Sequence, residues 1–130
     1  MSESGTQSML GYETHRAGDE VTITLRIEEK HLNRSGLLHG GIAATVLDAV
    51  SGYQAELAMG LGPEARVVTV SLTTNYLQAG RHGDLLTASA SAVGKGKTIQ
   101  HVTAELRRPD GALVATANGI FKRIRMRRRN

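Results

Sequence analysis

Cysteine is absent from the 130 residues, and so are tryptophan and any long apolar run. Without cysteine there is no disulfide, no thiolate nucleophile and no Cys-based metal site. One Phe and three Tyr are the whole aromatic complement, so Ala, Val, Ile and Leu must build the core. Single-stranded nucleic acid is bound largely by stacking bases on aromatic rings, and this chain has few to offer. No apolar stretch approaches the ~20 residues of a membrane-spanning helix. Met1 to Gln7 is polar and small, without the basic-then-apolar character of a signal peptide. These absences lead to the expectation of a metal-free protein of the cytoplasm, with neither membrane nor nucleic acid as partner.

What is present suits one domain. The length leaves room for a single core, and a hydrophobic content of 40% is ordinary for a globular chain. The formal charge of +4 is unevenly spread, because Lys122, Arg123, Arg125, Arg127, Arg128 and Arg129 crowd the last nine positions. Such a run is either a solvated tail or a patch for phosphates. The expected organisation is a disordered N-terminus (1–9), one domain (10–124) and a basic tail (125–130).

Within the domain a short strand from Leu10 leads to a turn at Ala17-Gly18-Asp19. In Glu20 to Ile27, Val21, Ile23 and Leu25 then alternate with Thr22, Thr24 and Arg26, the period-2 signature of a half-buried strand. Glu28 to Leu38 is irregular and polar. From Gly41 to Met59 no proline occurs, and Ile42, Ala43, Ala44, Val46, Leu47, Ala49 and Val50 cover most of the circumference of a helix. A helix apolar nearly all round belongs inside the molecule. Gly60, Gly62 and Pro63 end it. Four β-like runs follow, Ala65 to Leu77, Leu85 to Val93, Thr98 to Arg107 and Leu113 to Arg123. The separators Gly94-Lys95-Gly96 and Pro109-Asp110-Gly111 are short enough for antiparallel hairpins. The small residues Ala88 to Ala92 suit a sheet face on which a helix lies closely. The order predicts an α+β fold, an antiparallel sheet curled around one long helix, with exposed edges that a second copy would cover.

Chemistry concentrates at the start of that helix. His39-Gly40-Gly41 precedes it directly, where the first N–H groups have no internal partner and carry partial positive charge. Two glycines let a ligand oxygen approach the backbone, as an oxyanion site requires; they also suit a plain loop-to-helix turn. Asp48 is the only acid on the helix before Glu56, and a charge there needs partners or a task. Capping the backbone is one task and catalysis the other. Asp48 lies eight residues beyond Gly40, roughly 12 Å along one helix axis. A base and an oxyanion donor must both reach one reacting carbon. If both are catalytic, the Gly40 amide of one subunit meets Asp48 of another.

The run Asn33-Arg34-Ser35-Gly36-Leu37-Leu38-His39-Gly40-Gly41, followed by Thr45-Val46-Leu47-Asp48, resembles the signature of hotdog-fold acyl-CoA thioesterases, nearest the phenylacetate-degradation and 4-hydroxybenzoyl-CoA branch. The likeness extends from about Leu10 to Arg123. It implies that Asp48 is the helix carboxylate acting as nucleophile or general base, and that the Gly40 amide polarises the thioester carbonyl. It further implies that Asn33 and His39 form a polar pair near the thioester, with His39 orienting, and that Thr69 positions water. Gly41 and Tyr76 become candidate substrate contacts. The family forms dimers and often dimers of dimers, and it uses no cofactor, coenzyme A being part of the substrate.

The basic turn Gly94-Lys95-Gly96-Lys97-Thr98 is a candidate for the coenzyme's phosphates, although an ordinary hairpin with solvated lysines has the same composition. It lacks the glycine spacing of a P-loop. His15, His31, His82 and His101 show no metal-ligand spacing and read as surface or strand positions. No Gly-x-Ser-x-Gly elbow surrounds Ser35 or Ser51. The expected activity is hydrolysis of an acyl- or aryl-CoA thioester. A hydratase or dehydratase of the same fold, or a non-catalytic acyl-CoA-binding module, are the alternatives.

Overall fold

A computed structural model describes residues 3–126. Six strands and one long helix make up its body: β1 (Glu13–Ala17), β2 (Glu20–Arg26), α2 (Gly40–Met59), β3 (Ala65–Tyr76), β4 (Leu85–Val93), β5 (Ile99–Arg107) and β6 (Leu113–Arg125), with a short helix α1 (Gly5–Leu10) ahead of them. The strands form a single sheet in the order β1-β2-β4-β5-β6-β3, and every ladder is antiparallel. β3 follows the helix in sequence yet lies at the far edge, against β6.

The alternation in β2 sends Val21, Ile23 and Leu25 inward, where they meet Val46, Leu47 and Val50 of α2 and Leu86, Ala88, Ala104, Leu106 and Ala117 of the sheet. α2 packs against β2, β3, β4, β5 and β6. Small residues on β4 let it lie close, as expected: Ala88 is fully buried and Ala90 packs against the core. The helix opens with His39 as N-cap, its Nδ1 accepting the Gly41 N–H. It closes on Gly60 at φ 65°, with the Leu61 N–H reaching back to the Glu56 carbonyl. Only glycine enters that left-handed conformation without strain.

Burial of α2 is less complete than its composition predicts. Thr45, Asp48 and Gly52, spaced on one face, are only partly buried, because the sheet of one chain wraps most but not all of the helix. Buried Gln54 on α2 accepts the Val21 N–H and donates to the Asp19 carbonyl, tying the β1–β2 hairpin to the helix.

Three expectations need correction. The strand expected from Leu10 begins only at Glu13, because Leu10 closes α1 and Gly11 turns the chain. The N-terminal stretch taken as disordered (1–9) is helical over Gly5–Leu10: Ser4 caps it, Gly11 ends it at φ 80°, and buried Gln7 donates to Tyr12 O and Thr14 Oγ1. Residues 1–2 and, of the basic tail, 127–130 lie outside the described residues; Arg125 ends β6. His31 is no surface histidine but is fully buried. Its Nδ1 accepts the Glu28 N–H at 2.8 Å, so Nε2 bears the proton and donates to Leu10 O at 2.8 Å. Its own carbonyl accepts the His39 N–H, so one residue links α1 to the start of α2. Replacing His31 with Ala leaves those partners unsatisfied and opens a cavity. The expected loss is about 2–4 kcal/mol, read as a lower denaturant midpoint at unchanged slope.

Candidate active site

The candidate site residues fall in two separate groups on the chain. The first is at the N-terminus of α2. The Gly40 N–H, first of the helix, has no acceptor among the described residues, while the Gly41 N–H is taken by His39 Nδ1 at 2.9 Å. A Cβ on Gly41 would stand 2.9 Å from His39 Cε1, so glycine is what permits the imidazole to fold over the helix end. Tyr76, at the end of β3, lays its ring 3.3 Å from where a Gly40 Cβ would be and donates its hydroxyl to Gly40 O at 2.9 Å. Asn33 spends Oδ1 on the N–H groups of Ser35 and Leu37, which leaves its Nδ2 as the outward donor. Asn33, Leu37, Gly40, Ala43 and Tyr76 line a groove of about 350 Å³.

The second group is two turns along the helix. Thr69, on β3, donates its hydroxyl to Asp48 Oδ1 at 2.6 Å, while Asp48 Oδ2 has no partner among the described residues. A bulge between Thr69 and Ser71 interrupts the β3–β6 register there. Thr69 pairs with buried Phe121, and Tyr76 with buried Ala115. Both side chains therefore point to the inner face of the sheet. Along β3 they stand roughly 20 Å apart.

The Gly94–Thr98 turn touches neither group directly. Ile99 pairs with Lys122, and Lys122 with Val68, so the turn sits two strands across from Thr69, at the Asp48 end of the sheet. Lys95 and Lys97 are exposed there. The turn is shaped by a residue the sequence reading passed over: buried Gln100 accepts the Gly96 N–H and donates to the carbonyls of Val93 and Gly94. A Cβ on Gly96 would collide with the Ile99 carbonyl. An isolated glutamine on an otherwise apolar strand face was the available signal.

A cavity of about 690 Å³ lies at the other end of α2 among Arg16, Tyr53, Glu56, Leu57 and Arg66. Burial, with Tyr12 and Glu56 nearby, raises the Tyr53 hydroxyl above the usual phenol range, against an opposing pull from Arg66. Among the described residues no group of three or more His, Cys, Asp or Glu is placed to hold a metal ion. No helix there is long and apolar enough to cross a membrane.

A curled antiparallel sheet around one long helix is the hotdog fold. Residues 35–115 match the family model of the thioesterase superfamily, and the chain belongs to that family; it is a thioester hydrolase. Human acyl-coenzyme A thioesterase 13 is 31% identical over 100 residues, covering 76% of this chain and 69% of the human one. Among solved structures, the Escherichia coli PaaI protein of the phenylacetic acid degradation operon superposes with a TM-score of 0.83 at 23% identity, covering 93% of this chain and 85% of its own. A Streptococcus pneumoniae "hypothetical thioesterase protein with coenzyme A" gives 0.77 at 27% identity, covering 90% and 88%.

Proposed function

We propose that the protein hydrolyses an acyl- or aryl-CoA thioester at sites shared between two copies of the chain. The observation that carries this reading is the separation of two half-sites on one edge strand: Thr69 holds Asp48 and Tyr76 holds Gly40. β3 has one paired edge, toward β6, and one free edge. Antiparallel pairing of that free edge with a second copy, about a two-fold near Thr73, sets Leu72 opposite the partner's Thr74 and Ser71 opposite the partner's Asn75. The bulged residue Val70 is then skipped, and Thr69 falls opposite the partner's Tyr76, on the same inner face. One closed two-fold assembly thus builds two identical sites.

In each site the Gly40 N–H and the Asn33 amide of one subunit face the thioester carbonyl, and Asp48 of the other drives the attack. Asp48 Oδ2 either adds to the carbon itself or takes a proton from an attacking water; Thr69 holds the carboxylate in place. The oxyanion that forms is met by the Gly40 N–H, at a helix terminus that favours negative charge. Collapse expels coenzyme A as thiolate, which takes up the proton lost by water. On the water route the free acid is left directly; on the nucleophilic route an Asp48 anhydride is left that a water then hydrolyses to the free acid. No cofactor is needed, since coenzyme A arrives with the substrate. Lys95 and Lys97 lie at the Asp48 end, with Lys122 and Arg123 beside them, and supply cations for its phosphates, while the Thr98 hydroxyl supplies a neutral donor. Val68, Val93, Ile99 and Ile120 are exposed together on the outer face of the sheet, an apolar surface suited to pairing of dimers.

The hydratase reading fares worse because His39 Nδ1 is occupied as an acceptor, so its other nitrogen is a donor and not a base in the neutral ring. The deciding measurement is a screen of saturated aliphatic, arylacetyl and aroyl CoA esters at one concentration, following free thiol. Thiol release from at least one saturated ester, which has no double bond to hydrate, is expected. No release across the panel sinks the reading and favours a binding module.

A further inference from the structure

We propose that Tyr76 is a positioning residue for the reaction: with His39 it clamps both ends of the Gly40–Gly41 peptide and thereby aims the Gly40 N–H. The inference rests on Gly40 being the carbonyl donor, as read above, and assigns how that donor is held.

Two consecutive glycines are the most mobile pair of residues a backbone can have, which is a poor property for a donor that must stand within tenths of an ångström of its oxyanion. The backbone groups next to this one are occupied. The Gly41 N–H goes to His39 Nδ1 at 2.9 Å, and the carbonyl of the same peptide accepts the Tyr76 hydroxyl at 2.9 Å. Because a peptide unit is planar, holding its N–H and its C=O from opposite sides fixes its plane. The preceding peptide is held too: the His39 carbonyl accepts the N–H groups of Ile42 and Ala43 at 3.1 and 3.2 Å. With both flanking planes held, the Gly40 N–H is left with one direction and no acceptor among the described residues. The glycine also admits the clamp, since a Gly40 Cβ would stand 3.3 Å from Tyr76 Cε1. Tyr76 comes from β3, the strand that holds Asp48 through Thr69, so one strand sets the positions of both reactive groups.

The test is Tyr76→Phe, which keeps the ring and removes only the hydroxyl. Expected are a kcat reduced about tenfold, a fraction of the loss for deleting an oxyanion donor, a KM within about twofold, an unchanged melting temperature, and displaced Gly40 and Gly41 amide signals in a proton–nitrogen correlation spectrum. An unchanged kcat, or a raised KM with kcat intact, overturns the proposal; the latter would mean that the hydroxyl binds substrate directly. Asp48→Asn measured alongside separates the two levels. If it is inactive while Tyr76→Phe is unaffected, the clamp fails and the site stands. If both variants turn over normally, the site reading itself has failed.

Discussion

Asp48→Asn is expected to lower thioester hydrolysis by about a thousandfold, within the range that a positioned acid or base contributes. The exchange is nearly isosteric, and the amide oxygen can still accept the Thr69 hydroxyl that now meets Oδ1 at 2.6 Å. Asp48 is only partly buried and bears no ion pair among the described residues, so loss of its charge leaves the packing of Val46, Leu47 and Val50 intact. Stability should stay within about 0.5 kcal/mol of the parent, as for most substitutions away from core, caps and buried networks. The comparison is therefore clean: thiol release measured beside a thermal melt. Turnover within tenfold of the parent would remove Asp48 from the chemistry.

The second large effect is recovery of activity from two inactive proteins. Gly41→Val sets a Cβ 2.9 Å from His39 Cε1, ejecting the imidazole that caps α2 and disturbing the Gly40 donor. Alone, Gly41→Val and Asp48→Asn should each be close to inactive. In a mixed dimer, one site collects both lesions and the other collects none, because Asp48 of the Gly41→Val chain meets the Gly40 of the Asp48→Asn chain. Co-expression with different tags, followed by isolation of the doubly tagged species, should give about half the parental rate per dimer, one intact site of two. Activity no greater than the sum of the parents would mean that each chain works by itself, and the shared site would be abandoned.

Much of the fold was legible because its signals are local. The alternation of Val21, Ile23 and Leu25, the proline-free apolar run to Met59 and the glycine turns placed α2 and the strands β2 to β6 to within a residue or two of where they lie. Strand order was not legible. Nothing in the composition of β3 says that it passes its neighbour in sequence and pairs with β6; that outcome depends on how the whole sheet closes over the helix. The misread residues share a cause. His31 and Gln100 are polar and were assigned to the surface or not considered, yet each is buried because it satisfies several backbone groups at once. The sequence cue for His31 was the three-residue spacing from Glu28, a capping arrangement. α1 was lost because six residues carry too little periodicity, although Ser4 and Gly11 bracket it as cap and stop.

That the candidate site divides into two places was legible from spacing alone, because eight residues of helix separate Gly40 from Asp48. Asn33, His39, Gly40 and Asp48 read as one motif along the chain. That one strand meets both places, Thr69 at Asp48 and Tyr76 at Gly40, appears only when β3 is seen alongside α2.

The bulge beside Thr69 has a consequence for how the chain can change over time. Thr69 and Tyr76 share the inner face only because one residue between them is out of step. Removing or adding a residue in that stretch turns Thr69 away from Asp48 and, in the paired assembly, away from the partner's Tyr76. Side chains of β3 can be exchanged one at a time with graded cost, whereas its length cannot drift at all. The strand acts as a ruler, and lineages of this protein should tolerate replacements there far more readily than gaps.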